Sequence, residues 1–481
     1  MAKARLFEKI GYGFGDFASS MFWKIFSYYL PIFYSDVFGL KPAHAATLLL
    51  VTKLYDAISD PLMGIIADRT DTKWGKYRPY LLWIAIPFAL IGVFSFYVPE
   101  STYTVKHVYA YVMYILMMTV YTAINVPYGA MLGVVTADSR EKSVFSSFRM
   151  FFAYIGSFVA MGIFWIFEKM VIGQPIVRDG VAKLDESGNA VLAKGVGDAS
   201  PGQWTMTVAI VASLCAILFI LSFLMTREHV KVEKKAEAKS SIGSDLKALV
   251  SNGPWWLLLG AAIGQLLCGS IRGGVATYYF ANILGTNIFL TCAVYLTIGE
   301  IGQMVGVAFA VPFSEKFGKR NTFIGSLVAV IVFSSLIWFI PVGTSAGLWM
   351  LIALQVLVSL AFGVAAPLTW SMFADVADYS ELKNGSASTG LIFSSSSMAQ
   401  KFGGAIGGWL LLTILGVFGY NKDLAVQAPE TLTAIKALMS YIPAIGAVIS
   451  IGFLSFYPLT PKRMKGIQAE LAARRGTESA E

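Results

Sequence analysis

Apolar stretches of about twenty residues recur along the whole chain, each bounded by a polar or basic loop, and each long enough to cross roughly 30 Å of hydrocarbon. The pattern predicts twelve spans, at 9–36, 44–67, 79–98, 106–135, 144–170, 203–226, 252–282, 288–312, 321–341, 346–374, 388–418 and 432–458. A spanning segment has to satisfy its backbone groups internally, so the stretches are expected to be helices. The short alternating segments of a membrane β-barrel are missing from the pattern. The expectation is an all-α membrane protein with twelve transmembrane helices.

Two polar segments organise these spans. Residues 171–202 form an insert between the fifth and sixth, with turn residues for a small hairpin at Glu186, Ser187, Gly188 and Asn189. Residues 227–250, rich in Lys, Glu and Ala, form a linker suited to a short amphipathic helix on the membrane surface. The linker divides the chain into a first six-helix bundle at 1–226 and a second at 251–460, followed by a tail at 461–481. A weak repeat supports the division. Gly75 and Lys76 follow the second span, and Gly318 and Lys319 occupy the same place in the second half. Duplicated halves of this kind describe the major facilitator architecture, with substrate held near the midplane. Gly64 to Arg69 followed by Gly75-Lys76 resembles that superfamily's signature after helix two, with a short insert between its two parts.

Composition agrees with a bilayer setting: 56% of residues are hydrophobic and 14% charged, against roughly 25% charged in soluble chains. The net charge of +8 is a topology signal and not a nucleic-acid signal, because the basic residues fall on alternate loops. One set of loops holds Arg69, Lys73, Lys76, Arg78, Arg140, Lys142, Arg227, Lys231, Lys316, Lys319 and Lys462; the opposite set carries few. The positive-inside rule then places both termini in the cytoplasm of a cell with this protein in its inner membrane. Cys215, Cys268 and Cys292 lie in apolar stretches with neither metal spacing nor a disulfide framework, and read as packing residues. The first span carries Asp16 and Lys24 and no cleavage pattern, so it is expected to be retained.

Charges inside spans are few, which makes each informative. A carboxylate at bilayer depth costs a few kcal/mol or more and marks an ion or substrate path by default. Asp56 and Asp60 are four residues apart and share a helix face. With Ser59 and Thr122 they supply two carboxylates and two hydroxyls, an oxygen set for a hard cation. Alternatively, crowded carboxylates raise each other's pKa and one carries a proton. Lys401 is the expected counter-charge to Asp56 or Asp60, with Lys53 nearby on the same helix as the two acids; a static pair is the competing reading. Asp16 with Arg149 suits a sugar clamp, because a carboxylate accepts two vicinal hydroxyls and a guanidinium donates from one plane. Trp23, Tyr121, Tyr128 and Trp370 offer rings for apolar sugar faces, although aromatics in such a chain are mostly packing. Arg272 and Glu300 could pair with each other. Gly11-Tyr12-Gly13-Phe14-Gly15 is read as close helix packing, since no strand precedes it as a nucleotide loop would need.

At these residues the chain resembles the glycoside–pentoside–hexuronide:cation symporters, the family of melibiose permease, over nearly its whole length. Asp16-Phe17-Ala18 matches the family's helix-one carboxylate. Tyr55 to Gly64 is similar to its most diagnostic stretch, whose two aspartates bind the coupling cation. Trp74 to Pro79, Tyr121 to Gly129, Arg149 to Ala153, Ala374 to Tyr379 and Lys401 match further signatures. The resemblance implies cation sites at Asp56 and Asp60 and sugar sites at Asp16, Tyr121, Asn125, Tyr128 and Arg149. Three departures alter the implied substrate. Asn125 stands for an aspartate, Gly129 for a tryptophan and Ser59 for an asparagine of melibiose permease. The first two favour a β-xyloside, another β-glycoside or a hexuronide over an α-galactoside; the third leaves sodium or proton as coupling ion.

The expectation is therefore a carrier and not an enzyme, for no nucleophile, phosphate loop or cofactor motif is found. It would move a small sugar with a monovalent cation through the lipid bilayer, as a monomer, with Asp68 and Arg69 pairing at a cytoplasmic gate. A cation-coupled carrier of lysolipid-like amphiphiles and a non-transporting sugar sensor are the alternatives.

Overall fold

The computed structural model describes residues 6–40, 42–178, 181–182, 189–193, 196–230, 242–284, 292–384, 388–420 and 427–478. Certain helical side chains, those of Lys53 and Asp56 among them, lie outside what is described, as do three of the four residues expected to turn a hairpin at 186–189.

The apolar stretches are helices. The first half runs α1 (Leu6–Ile32, ending in a π-helical turn at Phe33–Val37), α2 (Pro42–Arg69), α3 (Pro79–Trp83), α4 (Ala85–Phe94), α5 (Tyr103–Val135), α6 (Ser139–Val171) and α7 (Pro201–Met225). The second runs α8 (Ile242–Val250), α9 (Gly253–Tyr279), α10 (Cys292–Phe317), α11 (Lys319–Leu336), α12 (Ser345–Asn384), α13 (Thr389–Val417), α14 (Pro429–Met439), α15 (Ala444–Ser455) and α16 (Pro461–Glu478). α14 and α15 together make one candidate crossing, and Ala85–Phe94 is a shorter apolar helix. Among the described residues nine helical spans are long and apolar enough to cross a membrane.

Local chemistry sets the ends. Ser200 caps α7 with a capping box, its hydroxyl taking the Gln203 amide while the Gln203 side chain takes the Ser200 amide. Pro201 follows at the first helical position, where a missing N–H costs nothing. Gly318, at φ +82°, parts α10 from α11. The tenth span continues to Asn384, ten residues past the expected end at 374. Its extension holds Asp375 and Asp378, buried because lysines meet them, so polarity does not end the helix here. The insert pairs two short strands, β1 (Val177–Arg178) and β2 (Val181–Ala182), antiparallel. In the linker, 226–230 is not helical and α8 forms at 242–250, while 231–241 lie outside the described residues.

The chain divides into two compact units, Met1–Met131 with Phe151–His229, and Leu132–Met150 with Val230–Glu481. In the first, α1 packs against α7 and on the sides of α5 and α6. Gly11, Gly13 and Gly15 make this possible: a Cβ there would come within 2.3 Å of Met225, Phe152 and Tyr128 respectively. The glycine run is close packing, as expected. Trp204 is fully buried among Phe33, Phe96, Phe164 and Phe167 and donates its indole N–H to the Val196 carbonyl at 3.0 Å. In the second unit α10 lies along α12, and α9 packs on α13 and α15. A core of Ile271, Val275, Tyr279, Tyr295, Ile337 and Leu438 fills between them.

Candidate functional site

The first unit holds a carboxylate between α2 and α5. Asp60 is 1% exposed. Thr122, also buried, donates its hydroxyl to Asp60 Oδ1 at 2.8 Å. On the same two helices the Tyr55 and Thr119 hydroxyls meet at 2.8 Å. Pro61 and Pro127 lie inside α2 and α5. A proline ring has no N–H to give one turn back, so the carbonyls of Ala57 and Ala123 lack their usual helical donor. Ser59 is half-buried beside Asp60. The side chains of Asp56 and Lys53 lie outside the described residues.

Along α1, Asp16 is buried and Trp23 is 42% exposed. The Trp23 ring lies 5.3 Å from that of Tyr121. Asn125 donates its amide N–H to the Tyr121 carbonyl at 3.0 Å, one turn back on its own helix. Tyr128 corrects the expectation of a sugar-facing ring. It is fully buried, stacks on Tyr12 at 4.9 Å and donates its hydroxyl to the Tyr12 carbonyl at 2.6 Å. The notch at Gly15 admits it, and its work here is packing α1 to α5.

In the second unit Arg149 is buried with its guanidinium 3.8 Å from the Trp370 ring centroid. A guanidinium over an indole face is a cation–π contact, best when desolvated. The two residues expected separately at the sugar site are therefore stacked on one another. Lys401 is half-buried on α13. Arg272, 7% exposed, donates to Ser334 Oγ at 3.0 Å, to Tyr295 Oη at 3.1 Å and to Gln355 Oε1. All three acceptors are neutral.

An ion-pair cluster in the second unit escaped sequence reasoning. Lys142, wholly buried, meets Asp378 at 2.6 Å. Lys319 meets Asp375 at 2.6 Å and the Ser139 hydroxyl at 2.6 Å, while Ser139 donates to Asp375 at 2.8 Å. Arg140 pairs with Glu315. The signal available was two acids three residues apart on one helix face, Asp375 and Asp378, with no role assigned. Asp68, expected at a gate with Arg69, takes the Tyr77 hydroxyl at 2.6 Å, and Arg69 is exposed.

Known proteins fit this arrangement. A family model described as MFS/sugar transport protein matches residues 11–461. The chain is 34% identical over 478 residues to Escherichia coli (strain K12) YagG, named as a candidate glycoside/cation symporter, covering 99% of this chain and 97% of the relative. It is 31% identical to the isoprimeverose transporter of Lactiplantibacillus pentosus, covering 97% of this chain and 92% of the relative. Among solved structures, a variant of the E. coli fucose:proton symporter FucP superposes with TM-score 0.68 at 13% identity, covering 94% of this chain and 98% of that one, a likeness of fold alone. With the family model spanning almost the whole chain and relatives matched end to end, the protein belongs to the MFS/sugar transport family and is a multi-pass, cation-coupled sugar symporter of the glycoside–pentoside–hexuronide group.

Proposed function

We propose that this symporter imports a β-xyloside, another β-glycoside or a hexuronide together with a monovalent cation, sodium or proton. The observation that carries the reading is the buried Thr122–Asp60 bond at 2.8 Å. An ionised carboxylate only accepts, so a hydroxyl bound to it can turn its oxygen to an arriving cation. Asp60, Asp56, Ser59 and Thr122 form the cation site. Asp16 and Arg149 hold sugar hydroxyls, with Trp23, Tyr121, Asn125 and Trp370 shaping the pocket. Tyr128 supports α1 from behind. Lys401 and Lys53 supply the counter-charge that cation binding releases.

Coupling follows from linkage: cation at Asp60 raises sugar affinity, and sugar raises cation affinity by the same factor. Rocking of the two halves gives alternating access. Asp68, Arg69 and the cytoplasmic loops latch the outward-facing state by charge pairing. The protein works as a monomer in an inner membrane with both termini cytoplasmic, as the basic loops direct.

Sugar-driven cation entry tests the reading, recorded with sodium and pH electrodes in de-energised cells. The panel is methyl β-D-xyloside, methyl β-D-glucoside, a methyl galactoside and methyl β-D-glucuronide, with Asp60→Asn as control. Entry of one ion with one sugar, lost in the control, names both substrates. Entry with the galactoside alone, or with none of the four, overturns the sugar assignment.

A further inference from the structure

Glu228 lies three residues beyond the end of α7, in a stretch without regular structure. Its carboxylate is nonetheless among the most fully engaged in the first unit. Oε2 accepts the Lys76 amide at 2.8 Å, and Oε1 accepts those of Tyr77 and Arg78 at 2.8 Å each. Three successive backbone N–H groups pointing at one anion make a nest, the arrangement by which loops hold phosphates and carboxylates. Here the anion comes from the chain itself, some 150 residues away.

The loop between α2 and α3 is shaped for this guest. Gly75 has φ +115°, a region other residues rarely enter, and a Cβ there would lie 2.5 Å from the Glu228 carboxyl carbon. Thr72 takes the Trp74 amide at 3.2 Å and donates to the Gly75 carbonyl at 2.7 Å, closing the turn. Either end of the loop is tied again. Tyr77 donates its hydroxyl to Asp68 near the end of α2, and Arg78 donates from Nε to the Phe223 carbonyl in α7 at 2.8 Å, its guanidinium over the Phe223 ring. Burial and the neighbouring Arg227 lower the Arg78 pKa from its ordinary value, with Glu228 opposing them.

The place in the chain is what gives the staple a mechanical meaning. The next residue, His229, meets Glu8 of α1 at 2.9 Å. The residue after that, Val230, already belongs to the second unit and donates its amide to the Val134 carbonyl at 2.9 Å. Glu228 is thus the last strong anchor but one before the chain passes from one unit into the other. Through residues 76–78 it reaches the loop that continues α2, the helix bearing Asp60.

We infer that Glu228 is a positioning residue for translocation: by filling the amide nest at Lys76, Tyr77 and Arg78 it makes α2 and the exit of α7 move as one piece. A force transmitted along the mid-chain segment then reaches the cation-binding helix as a displacement, instead of being spent on an unfastened loop. The inference rests on the carrier cycle and not on which sugar is carried.

Hydrogen–deuterium exchange and transport, measured on the full-length protein as Glu228→Ala and Gly75→Ala, test it. Glu228→Ala is expected to lose at least tenfold of the amide protection at 76–78. Protection of the ends of α2 and α7 should fall with it, and that of α9 to α13 should stay. Methyl β-D-xyloside, methyl β-D-glucoside and methyl β-D-glucuronide uptake should lose about tenfold in maximal rate per folded carrier, the folded amount being counted by the melting curve of the purified protein, with KM within twofold. Gly75→Ala, which evicts the carboxylate, should reproduce the exchange pattern, and the double variant should be no worse than the worse single. Unchanged protection in Glu228→Ala overturns the inference, as does lost protection with full transport rate. If the unaltered protein carries none of these sugars, the substrate reading fails separately. The staple is then judged on exchange: α2 and α7 ends that keep their protection in Glu228→Ala overturn it.

Discussion

The two units bury charge in opposite ways. In the first, Asp60 sits 1% exposed with a threonine hydroxyl as donor. In the second, Arg272 sits 7% exposed with a hydroxyl, a phenol and an amide oxygen as acceptors. The sign decides what each can do. A carboxylate can lose its charge to a proton, or exchange a hydroxyl donor for a metal cation, at modest cost. A guanidinium keeps its charge at any physiological pH and holds a fixed fork of donors. The first arrangement is reversible and suits a site filled and emptied every cycle. The second is permanent, and it ties α9, α10, α11 and α12 together. Elsewhere in the second unit, Lys142–Asp378 and Lys319–Asp375 show its other solution, in which opposite charges neutralise one another.

Asp60→Asn is the strongest way to break this contrast. It keeps the shape and an acceptor oxygen but removes the charge. Cation-driven sugar entry should fall by about 100-fold or more, some 2.7 kcal/mol at the minimum, with the melting temperature of the purified protein within a few degrees. Coupled entry that survives would make Asp60 a structural acid like those of the second unit.

A pair of variants at Lys142 sharpens the other side. Lys142→Met alone strands the Asp378 carboxylate in a buried place and should destabilise by about 3–5 kcal/mol. Lys142→Met with Asp378→Leu removes both charges and should recover most of the loss in a thermal melt, while altering transport rate if the pair is a latch. An additive double variant would show that the two side chains do not act as a pair.

Arg272→Met should cost less, about 2–3 kcal/mol, because its three stranded acceptors are neutral and hydroxyls can turn to new donors. Sugar KM should remain within twofold. A large rise in KM would mean that Arg272 touches substrate and is no mere tie between helices.

Much of this was legible in the chain. The all-helical, membrane-crossing character and the glycine packing of α1 followed from periodicity and small-residue spacing, all local properties. Asp60 and Thr122 were assigned to one site from chemistry and resemblance, and the structure bonds them. What the sequence hid depends on partners far away. Tyr128 looked available for a sugar until the Gly15 notch placed it against Tyr12. The tenth span looked finished at 374 because nothing in its own sequence shows that Lys142 and Lys319 neutralise Asp375 and Asp378. Glu228 looked like one more charge in a polar linker, since a nest of backbone amides has no side-chain signature apart from Gly75.

The finest test of the contrast lies at Thr122. If its hydroxyl serves Asp60 only as a structural donor, Thr122→Val leaves the buried carboxylate short of one charge-assisted hydrogen bond, worth about 1.5–3 kcal/mol. The protein should then melt earlier while cation affinity changes little. If the hydroxyl also lends its oxygen to the cation, affinity should drop about tenfold, roughly 1.4 kcal/mol, and Thr122→Ser should restore it. Serine keeps the oxygen and loses only the methyl group, so a rescue identifies the oxygen as the working part. The dependence should also follow the ion. A sodium-coupled site loses an oxygen ligand and shifts its sodium half-saturation upward. A proton-coupled site has no metal ligand to lose, and its transport shows no sodium half-saturation to shift. The sodium dependence of transport in this variant therefore separates a site that binds a metal cation from one that binds a proton.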